Sequence, residues 1–326
     1  MLKILCTRPA RPLRVALAGW LLTLAAQACH ADGGPAWAYP VADKEQPAAA
    51  ATAASGDTDR RQVPGSALTY QRKEIDDLFN PPIWFPERNV GMPRVVQYGA
   101  PPNVRACAAC HLASGQGHPE SGHIAGLPVA YFKRQIDDYR AGRRNDPVWM
   151  NKMAAALSDA DVRAAADWFS QVRPIPWIRV VETDTIPRSY FNRSRKRLPH
   201  PEGGSEPLGE RIAEFPQEPE RVLNRDPTAG FVAYVPKGSL AQGEALVRQG
   251  GAKTVACAAC HGADLRGQGE VPRIAGVSAL YTVRQLYAFK TGSRKGEHAA
   301  QMSAVVASLT PSDITAIAAF TASLAP

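Results

Sequence analysis

The residues of this chain best suited to chemistry lie in one pentapeptide that occurs twice. The sequence CAACH stands at residues 107–111 and again at residues 257–261. Two thiols one helical turn apart can form thioether bonds to the two vinyl groups of a haem, and the adjacent imidazole can ligate the iron from the same face. A redox dithiol would need a βαβ context and a zinc site a further Cys/His pair, and neither is indicated. The motifs therefore predict two covalently bound haem c groups.

The sixth position of each iron needs a second ligand. A methionine thioether is soft, stays neutral and raises the reduction potential relative to a second imidazole. Met150 and Met302 are the candidates, because each stands seven residues before a leucine at the start of the last predicted helix of its block. The alternatives near these positions are Met153, His118, His123 and His298.

The sequence around the two motifs is duplicated. An offset of 150 residues aligns the motifs and several residues that follow them, and after a two-residue insertion an offset of 152 aligns Met150 with Met302. We interpret the two blocks as duplicated domains. The aligned arginines can bind haem propionates or lie on a solvated helix face, and the aromatic residues are expected to pack in the haem pockets. These residues are Arg134 and Arg284, Arg144 and Arg294, Tyr131 and Tyr281, and Trp149.

Each block is predicted to be helical. Ser158 and Thr310 have the spacing of N-caps with an acid three residues later, and Pro311 suits the first helical position. Ser239 is predicted to cap another helix that ends at Gly250. Apolar positions at helical spacing follow the first two caps, at Val162, Ala165, Ala166 and Phe169 and at Ile314, Ile317, Ala318 and Thr321.

The first residues have the pattern of an export signal. Four basic residues precede an apolar run over residues 15–28 that is too short to span a membrane, and small residues follow it. Residues 1–31 are therefore predicted to be a signal peptide, and the mature protein is expected in the periplasm. Cleavage before Cys29 would allow a lipid anchor on that cysteine, but a plain soluble product is favoured.

The rest of the chain divides by composition. Residues 32–66, rich in Ala and Pro, are predicted to be a flexible leader. Residues 67–172 and 238–326 form the two haem domains, and residues 173–237 form a proline-rich connector. A connector of this length wraps a domain or docks a partner, and its apolar residues favour wrapping. The predicted fold class is all-α, with two domains joined by a long, largely irregular connector.

The charge does not point to a nucleic acid. The formal net charge of +8 falls to +4 once the four cations of the signal are removed. The remaining Lys and Arg are scattered and aromatic residues are few, which is not the pattern of a nucleic-acid surface.

Residues 93–172 and 238–325 resemble class I cytochrome c domains, and their pairing in one exported chain resembles the dihaem cytochromes of the c-four type. The connector is longer than the linker of that family. The family's proline, whose carbonyl steadies the proximal imidazole, would be Pro272, where the first copy has Gly122, so the two haems are expected to differ in potential. The resemblance implies that Cys107, Cys110, His111 and Met150 hold one haem and Cys257, Cys260, His261 and Met302 the other, with His111, Met150, His261 and Met302 on the iron.

We expect a periplasmic dihaem carrier that transfers electrons between redox protein partners, such as a dehydrogenase, a membrane respiratory complex or an oxidase. Peripheral association with the membrane is a further option. The alternative is an electron-transfer subunit of a haem-dependent oxidoreductase, or such an enzyme itself, with one open haem site. The sequence offers no general base beside an iron and a methionine for each haem, so the carrier is favoured over the enzyme and no catalytic residue is assigned.

Overall fold

The computed structural model describes residues 33–47, 58–146 and 148–326. The predicted signal peptide and Cys29 lie outside these residues. Among the described residues no single helix is long and apolar enough to cross a membrane, although two bent neighbours near the C-terminus, Ala299–Val306 and Pro311–Ser323, pass that test when taken together.

The first domain is mainly helical. Its last helix is capped as predicted, because the Ser158 hydroxyl accepts a hydrogen bond from the Asp161 amide at 3.1 Å. The predicted apolar face of that helix is buried, and Phe169 stacks on Phe132 with ring centroids 6.2 Å apart. The elements of this domain are β1 (Arg60–Arg61), β2 (Tyr70–Gln71), α1 (Arg72–Ile75), α2 (Arg94–Gln97), α3 (Cys107–His111), α4 (Val129–Arg140), α5 (Met150–Ala156) and α6 (Asp159–Gln171).

The connector is not irregular, so the prediction of an all-α chain is wrong. Its elements are β3 (Ile178–Glu182), β4 (Thr185–Pro187), β5 (Ser189–Phe191), β6 (Arg197–Pro199), β7 (Ser205–Pro207), β8 (Ala213–Pro216), α7 (Pro219–Leu223) and β9 (Phe231–Val235). β9 lies between β3, to which it is parallel, and β8, to which it is antiparallel. β4 pairs with β7 and β5 with β6, both antiparallel. The strands are short and interrupted by proline, so local periodicity did not reveal them.

The second domain consists of α8 (Ser239–Gln249), α9 (Ala258–His261), α10 (Ala279–Thr291), α11 (Ala299–Val306) and α12 (Pro311–Ser323). Thr310 and Asp313 form the predicted capping box at the start of α12. α8 crosses α12 closely at Gly243, where an added Cβ would lie 2.1 Å from the carbonyl oxygen of Ala316. Only glycine permits this crossing.

The prediction for the start of α8 needs correction. The helix begins at Ser239, but the Ser239 side chain forms no capping hydrogen bond. Instead, Glu182 of β3 accepts a hydrogen bond from the Leu240 amide at 2.8 Å, so the connector caps this helix. The predicted end at Gly250 is confirmed, since its φ of +72° favours glycine.

Part of the predicted flexible leader is ordered against the second domain. A short 3₁₀ helix, Ala36–Ala38, buries Ala38 completely in the core that includes α10 and α12. Arg284 of α10 donates a hydrogen bond to the Ala38 carbonyl at 2.8 Å. Trp37 and Tyr39 both pack on this core, so the prediction of a flexible leader is wrong for this segment.

Candidate functional site

Both CAACH motifs open into one continuous cavity. Its volume is about 1560 Å³, and its lining includes Cys107, His111, Cys257 and His261 together with residues of the connector. A pocket for one drug-sized ligand has about 300–1,000 Å³. The cavity is therefore large enough for two bulky cofactors placed near one another.

The two motif histidines are held in the same way. The Nδ1 of His111 donates to the Gly122 carbonyl at 2.6 Å, and the Nδ1 of His261 donates to the Pro272 carbonyl at 2.7 Å. The carbonyl oxygen accepts the bond whichever residue carries it, so glycine in the first copy does not remove this support. Nε2 is left without a proton on each ring. Burial lowers the pKa of both histidines, which keeps them neutral, the form that binds a metal.

The loop after each histidine has two positions with positive φ, and the leucine and the glycine that occupy these positions are in opposite order in the two copies. Leu112 and Gly115 have positive φ in the first copy, and Gly262 and Leu265 have positive φ at the matching positions of the second. The Gly115 carbonyl accepts hydrogen bonds from the amides of Ile124 and Ala125. The Leu265 carbonyl accepts the matching bonds from the amides of Ile274 and Ala275. Each loop thus tolerates one leucine in a conformation that favours glycine.

The four motif thiols are not paired as disulfides. Burial raises the pKa of Cys107 to about 12 and that of Cys257 to about 11. Thiols with such pKa values are poor nucleophiles at neutral pH, so this environment does not suit a redox dithiol. It does suit cysteines whose sulfur atoms are held in stable thioether bonds.

Met150 lies at the first residue of α5 and lines the cavity. Its loop is fixed by Asp146, whose carboxylate accepts hydrogen bonds from the amides of Val148 and Met150 at 3.0 Å. The Asn151 side chain also holds this loop in place, by donating a hydrogen bond to the Tyr139 carbonyl at 2.8 Å. Asp146 and Asn151 were not predicted from the sequence, although an Asp before a predicted helix is a common capping signal.

Met302 lines the same cavity from within α11. No counterpart of the Asp146 carboxylate caps α11, where His298 is the N-cap and its side chain forms no capping bond. Ser303, at the position that matches Asn151, donates to the Phe289 carbonyl at 3.1 Å. Met153, the rival of Met150, is buried and also reaches the cavity.

The two domains meet through Arg144 and Arg294, which contact each other's domain reciprocally. Arg144 donates to the Tyr281 hydroxyl at 2.8 Å, and Arg294 donates to the Tyr131 hydroxyl at 2.7 Å. Their backbones form an isolated antiparallel bridge. These arginines therefore do not lie on a solvated helix face, and the long connector does not keep the domains apart.

The interface carries an uncompensated positive charge. Arg144 and Arg294 are 5% and 6% exposed, and in the part of the chain that the structure describes neither guanidinium forms an ion pair with a carboxylate. Burial alone would raise the pKa of Tyr281, but the two guanidiniums outweigh it and hold that pKa below its ordinary value. Buried cations of this kind need an anion. Both arginines line the cavity, so haem propionates fit this position.

The other arginine pair makes different contacts. Arg134 forms an ion pair with Glu270 of the second domain. Arg284 donates to the carbonyl of Pro119 in the first domain at 2.6 Å. Both residues thus stabilise the contact between the domains, in addition to lining the cavity.

His118 and His123 belong to the buried loop after the first motif. His118 packs edge-on against Phe231, and His123 stacks on Trp177, both in the connector region. Burial lowers the pKa of both, that of His123 to about 3. All three alternative histidines line the cavity, His118 and His123 in contact with aromatic rings of the connector and His298 beside α11.

Comparison with known proteins places this geometry in a family. The family model described as cytochrome c matches residues 241–325. The chain is 32% identical over 222 residues to the thiosulfate dehydrogenase electron acceptor of Thiomonas intermedia, covering 67% of this chain and 78% of that protein. The protein of the same name from Stutzerimonas stutzeri is 28% identical over 231 residues, covering 70% of this chain and 83% of that one. A solved cytochrome c4 from Acidithiobacillus ferrooxidans has a TM-score of 0.46 and 22% identity, over 67% of this chain and 98% of that one.

The duplicated motifs, the shared cavity and the two electron acceptors that match most of the chain lead to one conclusion, which confirms the resemblance seen in the sequence. The chain belongs to the dihaem cytochrome c family, binds haem c covalently, and carries electrons between redox protein partners.

Proposed function

We propose that Cys107, Cys110 and His111 hold the first haem and that Cys257, Cys260 and His261 hold the second. Met150 and Met302 are the distal ligands in this proposal. The observation that carries it is the matched support of the two imidazoles, whose Nδ1 atoms donate to the carbonyls of Gly122 and Pro272 at 2.6 and 2.7 Å. That bond fixes each ring with Nε2 free to bind iron.

In this proposal each group of residues has a separate role in electron transfer. When bound, each haem supplies an iron that cycles between the ferrous and ferric states. The four motif cysteines would hold the haems through thioether bonds, and the neutral imidazole and methionine thioether would leave the charge of each iron uncompensated, which would favour the ferrous state. Arg144 and Arg294 neutralise the propionates at the domain interface. The apolar packing of Phe132 and Phe169 in the first domain, and of Phe289 and Phe320 in the second, excludes water.

We propose that the donor is a thiosulfate dehydrogenase or a similar dehydrogenase, and that exchange takes place in the periplasm. Two relatives that match most of the chain are named as electron acceptors of thiosulfate dehydrogenase. The export pattern of residues 1–31 supports a location in the periplasm. The test is to mix the oxidised holoprotein with thiosulfate and a purified thiosulfate dehydrogenase. Reduction of the haem absorption bands that requires both additions supports the proposal, and no reduction at catalytic enzyme concentrations contradicts it.

Ligation is tested by spectroscopy of the purified holoprotein. Pyridine haemochrome should give two haems per chain, and the ferric protein should show the weak near-infrared band from methionine to iron at full strength for two centres. Met150→Ala and Met302→Ala should each remove half of that band, whereas Met153→Leu should leave it unchanged. A high-spin haem that binds carbon monoxide in the unaltered protein would overturn the assignment and favour an enzyme with an open haem site.

A further inference from the structure

The two haem-attachment loops, residues 107–120 and 257–270, differ strongly in exposure. Ala109 is 3% exposed, whereas its counterpart Ala259 is an exposed residue. Gln116 and His118 are 1% and 5% exposed, and their counterparts at 266 and 268 are exposed. The two loops share most of their backbone hydrogen bonds, including those that the Gly115 and Leu265 carbonyls accept, so the difference in exposure comes mainly from what packs on each loop.

Residues of the connector cover the first loop. Arg225 donates a hydrogen bond to the Ala109 carbonyl inside the motif itself. The Lys196 ammonium lies 3.9 Å from the Glu120 carboxylate, and Gln116 donates to the Ile175 carbonyl at 3.3 Å. Arg225 holds a backbone φ of +57°, an uncommon conformation for a residue with a side chain, to make its contact.

The second loop has no such cover among the residues that the structure describes. Its exposed residues outside the haem cavity, which we call the exposed patch, are Ala259, Ala263, Asp264, Arg266, Gln268 and Gly269.

The exposed patch has little net charge. The Lys253 ammonium beside it is held by the Asp313 carboxylate at 2.9 Å, and the Arg266 guanidinium lies 3.9 Å from the Asp264 carboxylate. A small surface of short side chains with balanced charges suits a brief encounter with a protein whose docking surface is also weakly charged.

We infer that the second haem is the port through which electrons enter and leave, and that the first haem exchanges electrons only with the second. This inference rests on the proposed function and on the haem ligation proposed above. A reduced one-electron protein donor docks on the exposed patch and gives one electron to the ferric iron at the second site. That electron then passes across the Arg144–Arg294 interface to the ferric iron at the first site, and a second donor molecule reduces the second site again.

The test uses stopped-flow mixing of the oxidised dihaem holoprotein with a reduced monohaem c-type cytochrome of lower potential. Two phases are expected. The rate of the first phase rises in proportion to the donor concentration, whereas the rate of the second, the transfer between haems, is independent of it. Freeze-quench electron paramagnetic resonance, with Met150→His to assign the signal of the first centre, identifies which ferric centre is lost first.

Two matched variants test which haem site exchanges electrons with the donor. Ala259→Glu should slow the first phase about tenfold even at high salt, because docking must bury an unpaired carboxylate. Asn103→Glu puts the same charge on an exposed residue just before the first motif and should leave that rate unchanged. In the unaltered protein the rate should depend only weakly on ionic strength.

The opposite results would overturn the inference. These are a first centre reduced at a rate proportional to donor concentration, or slowing by Asn103→Glu rather than by Ala259→Glu. The haem count and the near-infrared band, measured on the same variants, keep this failure apart from a failure of the haem assignment, because both remain intact when only the route is wrong.

Discussion

The connector contacts the two domains of this dihaem cytochrome in different ways. On the first domain it covers the haem-attachment loop with Trp177, Arg225 and Phe231. On the second domain it packs against the terminal helix α12 and leaves the attachment loop exposed. One insertion thus encloses one haem site and stabilises the helices of the other domain, so two copies of the same fold can take different positions in an electron route.

The terminal helices show the same difference. α6 buries one face and leaves Arg163 and Asp167 exposed, as an amphipathic helix at a domain surface does. α12 is buried along residues 313–322, because α8 packs on one side and the core that includes Val235 and Ile212 on the other. A helix that is apolar on all sides must pack against other elements on all sides, and here α8 and the connector provide these contacts.

The largest expected effect comes from removing the ring that joins the connector to both domains. Trp177 is 5% exposed, packs against Phe231 with centroids 5.4 Å apart and donates to the Gly276 carbonyl at 3.1 Å. Trp177→Ala should lower the free energy of unfolding by about 3–5 kcal/mol. Hydrogen exchange measured by mass spectrometry should then show faster exchange in residues 107–120 than in the unaltered protein, with residues 257–270 unchanged.

The control for that variant is Trp37→Ala, which removes the same type of side chain from the leader segment packed on the second domain. It should leave exchange in residues 107–120 unchanged. If both variants accelerate exchange in both attachment loops equally, the connector does not protect the first loop selectively.

The sequence could predict those parts of the structure that rest on local patterns. The motifs, the caps at Ser158 and Thr310, and the buried face of α6 follow from spacing alone. The connector sheet could not be found this way, because β3 and β9 are far apart in the sequence and pair only in the folded chain. The duplication identified Arg144 and Arg294 as equivalent residues, yet no pattern in one sequence shows that equivalent residues touch each other's domain.

A smaller effect is expected from the carboxyl group that anchors the connector to the second domain. Glu214 of β8 is buried and accepts hydrogen bonds from the Ser278 hydroxyl at 2.6 Å and from the Ala279 amide at 2.8 Å, at the start of α10. Burial raises the pKa of Glu214 to about 7. The folded protein therefore holds this proton more tightly than the unfolded chain, and the stabilisation that the proton provides is full below about pH 4.5 and is lost as the pH rises through 7.

Glu214→Gln removes the charge while its Oε1 accepts from the Ala279 amide and its Nε2 donates to the Ser278 hydroxyl. It should therefore flatten the fall in the free energy of unfolding between pH 5 and 8 by at most about 3 kcal/mol. Urea unfolding at a series of pH values measures this difference. Glu210→Gln, at an exposed position of the connector, provides the control and should keep the slope of the unaltered protein. Equal slopes in all three proteins would show that Glu214 does not exchange its proton on folding.

The smallest effect concerns the potential of the covered haem. Arg225 places a largely buried cation at the first motif, and the second motif has no connector cation bonded to it among the described residues. A nearby positive charge favours the ferrous state, so Arg225→Gln should lower the midpoint potential of the first haem by about 40 mV, corresponding to about 1 kcal/mol for a one-electron couple. Arg225→Lys should restore most of the potential, and Arg266→Gln, at the exposed loop of the second domain, should have little effect because water screens its charge. Spectroelectrochemical titration of the three variants measures these midpoint potentials. If Arg225→Lys lowers the potential as much as Arg225→Gln does, the effect comes from packing and not from charge.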